Sequence, residues 1–222
     1  MGVRLESVLG SAEVGLFALA TDKYLIISRS VNQSKQRVFE AVFGLSPIPV
    51  SLAGSILVSP FVAGNSNGLV VSGLVLNDEL KVLRRGLGDV NIGTLKTKLT
   101  AVGNLILCND KGAVISYLLG RENLKLVEDI LGVEAVPMKL ADRSYVGSLA
   151  AVTNLGCLAH VDADDDDIAT LSDILKVGVM VGTVNGGLKY VRSSIVANSR
   201  GVVVGSRTTG PELMTITRVF SQ

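Results

Sequence analysis

Three stretches of this 222-residue chain carry residue types that could do chemistry. "GNSNG" (64–68) satisfies G-x-S-x-G, in which Ser66 would be a nucleophile on a strand–turn–helix elbow. Cys157 and His160 offer a thiol and an imidazole, a pair that serves nucleophilic catalysis when the imidazole takes the thiol proton. "DADDDD" (162–167) puts Asp162, Asp164 and Asp166 at positions 1, 3 and 5 of a calcium-loop pattern.

Each reading weakens against its local pattern. The elbow needs a helix after the serine, yet "LVVSGLVL" follows, which is a strand pattern. Cys157 and His160 lie three apart in the strand-like "CLAHV", so they point to opposite faces. His160 is the only histidine, so any histidine-dependent mechanism would rest on it. The calcium loop wants glycine at its sixth position and glutamate at its twelfth, where the chain has Asp167 and Asp173. An acidic helix N-terminus, favoured by the helix dipole, explains the aspartates instead. The bland reading is thus favoured for each of the three stretches, and no catalytic group, metal or cofactor is expected.

Composition narrows the field further. The net charge is +1, so phosphate neutralisation is not the main source of any affinity, and DNA is not an expected partner. Two cysteines make no disulfide framework and fit a reducing compartment. No apolar run approaches a membrane span, and Arg4, Glu6 and Glu13 interrupt any signal-peptide pattern. Glu6 also stands where a myristoylation site wants Ser or Thr. A soluble cytoplasmic protein is the expectation.

The elements that must position these residues recur. "NDKG" (109–112) is a turn of two Asx residues and a glycine, read as a glycine at positive φ. Forty-four residues back lies "NSNG" (65–68), and another 44 back lies "TDKY" (21–24). Forward lie "TNLG" (153–156) and "NSRG" (198–201). A helical stripe keeps the same period: Phe39 and Phe43, then Leu83 and Leu87, Val127 and Leu131, Leu171 and Leu175, Ile216 and Phe220. Gln36 is the one polar member, at the first repeat. Gly44, Gly88 and Gly132 are read as helix C-caps, and Ser34, Asn77 and Asp164 as N-caps. Short apolar runs flank each turn and follow each helix, which gives a strand–turn–strand–helix–strand unit.

The units run 15–58, 59–102, 103–146 and 147–191, with residues 192–222 and 1–14 together forming the fifth. The expectation is one α+β domain over 1–222: a closed ring of five ββαβ-type repeats with pseudo-fivefold symmetry. "VRLESV" (3–8) would complete the last repeat. Closure removes exposed strand edges, and a unit of this size cannot bury its own stripe.

Five such units resemble the pentein, or α/β-propeller, architecture. Local motifs resemble the translation initiation factor 6 family within it: "FVAGNSNGLVV" (61–71), "AVGNLILCND" (101–110), "YVGSLAAVTNLGCLAHVD" (145–162) and "GTVNGG" (182–187), in order along the chain. Its length, ending at Gln222, is similar to the archaeal form. The sequence departs from the eukaryotic pattern at Pro60, Ser66 and Asn67, where basic residues are typical.

The resemblance implies a non-enzymatic, monomeric anti-association factor that binds the intersubunit face of the large ribosomal subunit. It would contact ribosomal proteins near the sarcin–ricin loop of the RNA and block joining with the small subunit, with a role in large-subunit biogenesis. It also implies ribosome-contact residues among the polar turns: Gly64, Asn65, Ser66, Gly103, Asn104, Asn109, Asp110 and Asn185. The alternative within the superfamily is a guanidino-group hydrolase or amidinotransferase using Cys157 and His160.

Overall fold

The computed structural model describes residues 2–221. The strands are β1 (Gly2–Glu6), β2 (Ala18–Ala20), β3 (Leu25–Ser28), β4 (Pro47–Val50), β5 (Val62–Gly64), β6 (Gly68–Ser72), β7 (Asn91–Leu95), β8 (Ile106–Cys108), β9 (Ala113–Ser116), β10 (Ala135–Met138), β11 (Ala150–Val152), β12 (Gly156–His160), β13 (Gly178–Gly182), β14 (Ile195–Ala197) and β15 (Gly201–Gly205). The helices are α1 (Gln33–Phe43), α2 (Asn77–Leu87), α3 (Gly120–Leu131), the single turn α4 (Val146–Leu149), α5 (Asp165–Leu175) and α6 (Gly210–Phe220).

These strands make five three-stranded sheets. In each, a short strand pairs antiparallel with the middle strand across a hairpin, and a third strand pairs parallel on the other side. In the second unit these are β5, β6 and β7. The N-terminal strand β1 fills the third place in the last sheet, running parallel to β15 from Gly2↔Gly201 to Glu6↔Gly205. The fold is thus a mixed α+β arrangement of the expected repeated unit.

Middle strands are buried on both faces, so they read as unbroken apolar runs, as in "LVVS" and "VVVG". Their alternate residues serve different neighbours. Leu69 and Val71 pack with Ile26 and Leu83, while Val70 packs with Ile106, Val127 and Leu131. In the same way Val203 joins Phe39 and Phe43, whereas Val202 and Val204 join Leu158, Ile216 and Phe220. The period-two alternation of a strand therefore divides the core into five clusters, each shared by adjacent units. No unit owns its core.

Three local expectations need correction. The first concerns the hairpin glycines: Gly68, Gly112, Gly156 and Gly201 do not adopt positive φ. A Cβ at Gly68, Gly112 or Gly156 would overlap a carbonyl oxygen of the next unit's helix, at Ile130, Ile174 and Val219 respectively. Close packing, not turn geometry, selects glycine there. Second, α1 is capped by Asn32, whose side chain accepts from the Lys35 N–H at 2.9 Å, and not by Ser34. Third, Asn77 lies inside α2, which starts after Leu76, and Glu79 reaches back to accept the Leu76 N–H at 2.9 Å. Asp164 caps α5 as expected, and Gly44 and Gly132 are left-handed C-caps.

Candidate functional site

The unit has two ends. The hairpin turns and helix C-termini gather at one. The helix N-termini gather at the other, with short 3-10 turns at Val14–Leu16, Ser59–Phe61, Val102–Asn104 and Val191–Ser194 and with α4 in the matching place of the fourth unit.

At the hairpin end the polar turn residues bind one another. Asn65, Asn109 and Asn198 occupy equivalent positions. Each Oδ1 accepts the two following turn N–H groups, as in Lys111 N and Gly112 N to Asn109 at 3.0 and 3.1 Å. Each Nδ2 donates into the next unit: Asn109 to the carbonyls of Thr153 and Leu175, at 3.1 and 2.8 Å. Asn198 does the same to Thr21 and Phe43, linking the fifth unit to the first. The next turn positions converge. Asp110 accepts from Ser66 N and Oγ at 2.7 and 2.8 Å and from Asn154 Nδ2 at 2.6 Å. Asn154 Nδ2 also donates to Asp22, which accepts from Ser199 N and Oγ. Below these side chains lies a cavity of about 30 Å³.

The other end is built around turns with strained backbone and carboxylate clasps. Leu9, Ala53, Ala141 and Asn185 recur at the unit spacing with positive φ. The acid three residues into the following helix accepts N–H groups from such a turn. Glu79 holds Ala53 and Gly54, and Asp167 holds Ala141. Glu212 holds Gly186 at 3.1 Å and Gly187 at 2.9 Å while also accepting from Thr209 N and Thr183 Oγ1. Burial raises the Glu212 carboxyl, but these four donors outweigh it and bring it down to about 2.

This end also carries exposed apolar side chains. Tyr117, Leu118, Tyr145, Tyr190, Leu74 and Leu76 are each at least two-fifths exposed. Ser144 Oγ donates to Tyr117 Oη at 3.4 Å, and the Lys139 ammonium sits 5.6 Å from the centre of the Tyr117 ring. Tyr145 and Tyr190 stand one unit apart, so their recurrence is a signal the sequence contained.

The eight residues marked as contact candidates divide between the ends. Gly64, Asn65, Ser66, Asn109 and Asp110 sit at or beside the hairpin turns. Gly103, Asn104 and Asn185 sit at the opposite end. Gly64, Asn65, Gly103 and Asn109 are buried; Ser66, Asn104, Asp110 and Asn185 are half-buried. Asn185 Nδ2 is committed to the Ala12 carbonyl and Ser194 Oγ. Asn104 makes no side-chain hydrogen bond to any described residue.

The chemically suggestive groups are absorbed by structure. Ser66 lies in the β5–β6 hairpin, with no helix after it. Cys157 packs among Leu107, Leu171 and Leu175, and burial pushes its thiol up to about 12. The neighbours of His160 are different: its Nδ1 accepts the Asp162 N–H at 3.1 Å and its ring meets Tyr190 edge-on. Burial, with Arg143 and Lys189 nearby, lowers the imidazole against the opposing pull of Asp162. Asp162 is paired with Arg143 and Lys189, while Asp164 and Asp167 cap α5. Among the described residues no three His, Cys, Asp or Glu side chains gather as a metal site, and no helix is long and apolar enough to cross a membrane.

Comparison with known proteins assigns the arrangement to a family. The model of the eIF-6 family matches residues 3–219. The chain is similar to proteins named translation initiation factor 6 from several archaea. It is 41% identical to that of Thermococcus onnurineus, covering 93% of this chain and 92% of the relative. It is 34% identical to that of Staphylothermus marinus, over 99% and 97% of the two chains. It is 32% identical to that of Saccharolobus islandicus over the full length of both. With its five sheets, its recurrent turns and a family match that runs nearly end to end, the chain belongs to the eIF-6 family.

Proposed function

We propose that this protein is a cytoplasmic, monomeric translation factor that binds the intersubunit face of the large ribosomal subunit. Seated there, it prevents joining with the small subunit and takes part in large-subunit biogenesis. Family membership over residues 3–219 carries the translation role. The scaffold in this reading is one domain closed into a five-unit ring. The β1–β15 pairing and the Asn198 bonds to Thr21 and Phe43 support that closure.

The docking face is the end that carries the 3-10 turns. Interfaces favour tyrosine and exposed apolar anchors, and Tyr117, Tyr145, Tyr190 and Leu118 supply them. Asn104 and Asn185 lie at this end, and Asn104 has an uncommitted amide. The candidates at the hairpin end serve the ring more than a partner, since their polar groups are spent on neighbouring units. A near-neutral chain fits contacts with ribosomal proteins beside the sarcin–ricin loop better than broad phosphate neutralisation.

Sedimentation with separated ribosomal subunits, followed by a joining assay, tests the reading. The wild-type protein should travel with the large subunit alone and reduce joined ribosomes. Tyr145→Ala combined with Tyr190→Ala should weaken that binding by at least roughly tenfold, with the melting temperature kept. Ser66→Ala, at the hairpin end, should bind like wild type. Failure of the wild-type protein to bind the large subunit would end the proposal. Binding that Ser66→Ala loses and the tyrosine pair keeps would move the docking face to the other end.

A further inference from the structure

Arg192 breaks the repeat. At its position the other units carry Gly15, Ser59, Gly103 and Gly147, none of which reaches far from the backbone. The chain is tight there: a Cβ on Gly15, Gly103 or Gly147 would overlap a neighbouring carbonyl oxygen. One unit alone sends a long cation inward.

The cation lines a cavity of about 40 Å³ whose wall draws on the hairpin strand of every sheet, β2, β5, β8, β11 and β14, with Ala20, Gly64, Cys108, Val152 and Ala197 at equivalent positions. Arg192 as a residue keeps some exposure, but its Nη2 is sealed from solvent and has no hydrogen-bond partner among the described residues. No carboxylate lines this cavity. Its thiol, Cys108, is pushed up to about 12, chiefly by burial, so it stays neutral and cannot balance the charge. A guanidinium is charged at any working pH. A buried cation without a counter-charge is unfavourable unless something compensates it. The space suffices, since about 10–15 Å³ accommodates one water-sized particle.

We propose that the axial cavity is a binding site for one small inorganic anion held by the Arg192 guanidinium. Asp22 and Asp110 stand toward the hairpin end of the same axis, and both line the neighbouring cavity. Their negative charge disfavours multiply charged anions, so the site takes a halide such as chloride in preference to phosphate. The anion ties the fifth unit to the first strands of the other four.

Bromide is the probe. Wild-type crystals grown in sodium bromide should show one anomalous peak at the Arg192 guanidinium. In solution, melting temperature is followed against sodium bromide for wild type and Arg192→Met, at constant ionic strength set with sodium acetate. General salt effects act on both proteins alike. Wild type should gain about 5–10 °C more than the variant once bromide is in hundredfold excess over its dissociation constant. Phosphate should give a smaller difference. Without bromide the variant should melt at or above wild type, because an apolar side chain of similar size removes a buried charge. If Arg192→Met does not fold, Arg192→Lys keeps the charge but loses the fork, and should show a reduced bromide response. Water alone at Arg192 in the bromide crystals, or equal bromide responses of wild type and variant, would overturn the proposal. A phosphate response larger than the bromide one would overturn the halide preference.

Discussion

Single residues in this protein act mostly as fasteners between units. Glu212 has the largest predictable effect, because five donors from four residues converge on one buried carboxylate. Its folded titration, at about 2, lies below the ordinary value of 4.5. The stabilisation is therefore complete above the unfolded value and is lost as pH falls from 4.5 toward 2. The difference corresponds to about 3 kcal/mol. Glu212→Gln should cost most of this at neutral pH and flatten the acid limb of a stability–pH curve measured by urea unfolding. Parallel acid limbs in the two proteins would show that the clasp does not titrate as described. In the sequence Glu212 is one of many surface-type acids. Its partners at Thr183, Gly186 and Gly187 come from the preceding strand–turn segment, and nothing local joins them.

Elements meet through complementary sizes at the junctions. In four of them a turn glycine faces a bulky helix position, pairing Gly68 with Ile130, Gly112 with Ile174, Gly156 with Val219 and Gly201 with Val42. In the remaining junction the sizes are exchanged. Tyr24 takes the turn position and Gly86 the helix position, and the two line one recess. The Tyr24 hydroxyl reaches on to donate to the Gly68 carbonyl at 3.1 Å. Gly112→Ala should therefore push α5 off its neighbour and destabilise by about 3 kcal/mol or more, as overpacking against rigid backbone does. Gly210→Ala, at an open site with nothing within reach of the added methyl, is the control and should change little. Equal melting temperatures for the two variants would refute the close-packing account. The turns themselves were legible from their Asx and glycine residues, whereas the reason for the glycine was not: positive φ and close approach select the same residue.

For the whole molecule, the fifth sheet depends on a strand borrowed from the far end of the chain. Removing residues 1–8 would leave β15 with an unpaired edge and α1 without part of its floor. The truncated protein should lose about 5 kcal/mol, at roughly 1 kcal/mol for each of the five paired positions, or aggregate through the bare edge. A synthetic peptide of residues 1–10 should restore the melting temperature by strand addition. An unchanged melt and a monomeric elution profile after truncation would show that β1 is dispensable. The unit, its spacing, its apolar stripe and the strand that completes the fifth sheet are legible in the residues alone, because hydrophobic period and turn chemistry are local and repeat intact. The remaining assignments came from the fold. It placed Asn65, Asn109 and Asn198 as ties between units, separated Asn104 and Asn185 from the hairpin turns, and brought Arg192 to a cavity walled by all five sheets. Those outcomes depend on which groups meet from units 44 residues or more apart, and a one-dimensional pattern carries no distances between them.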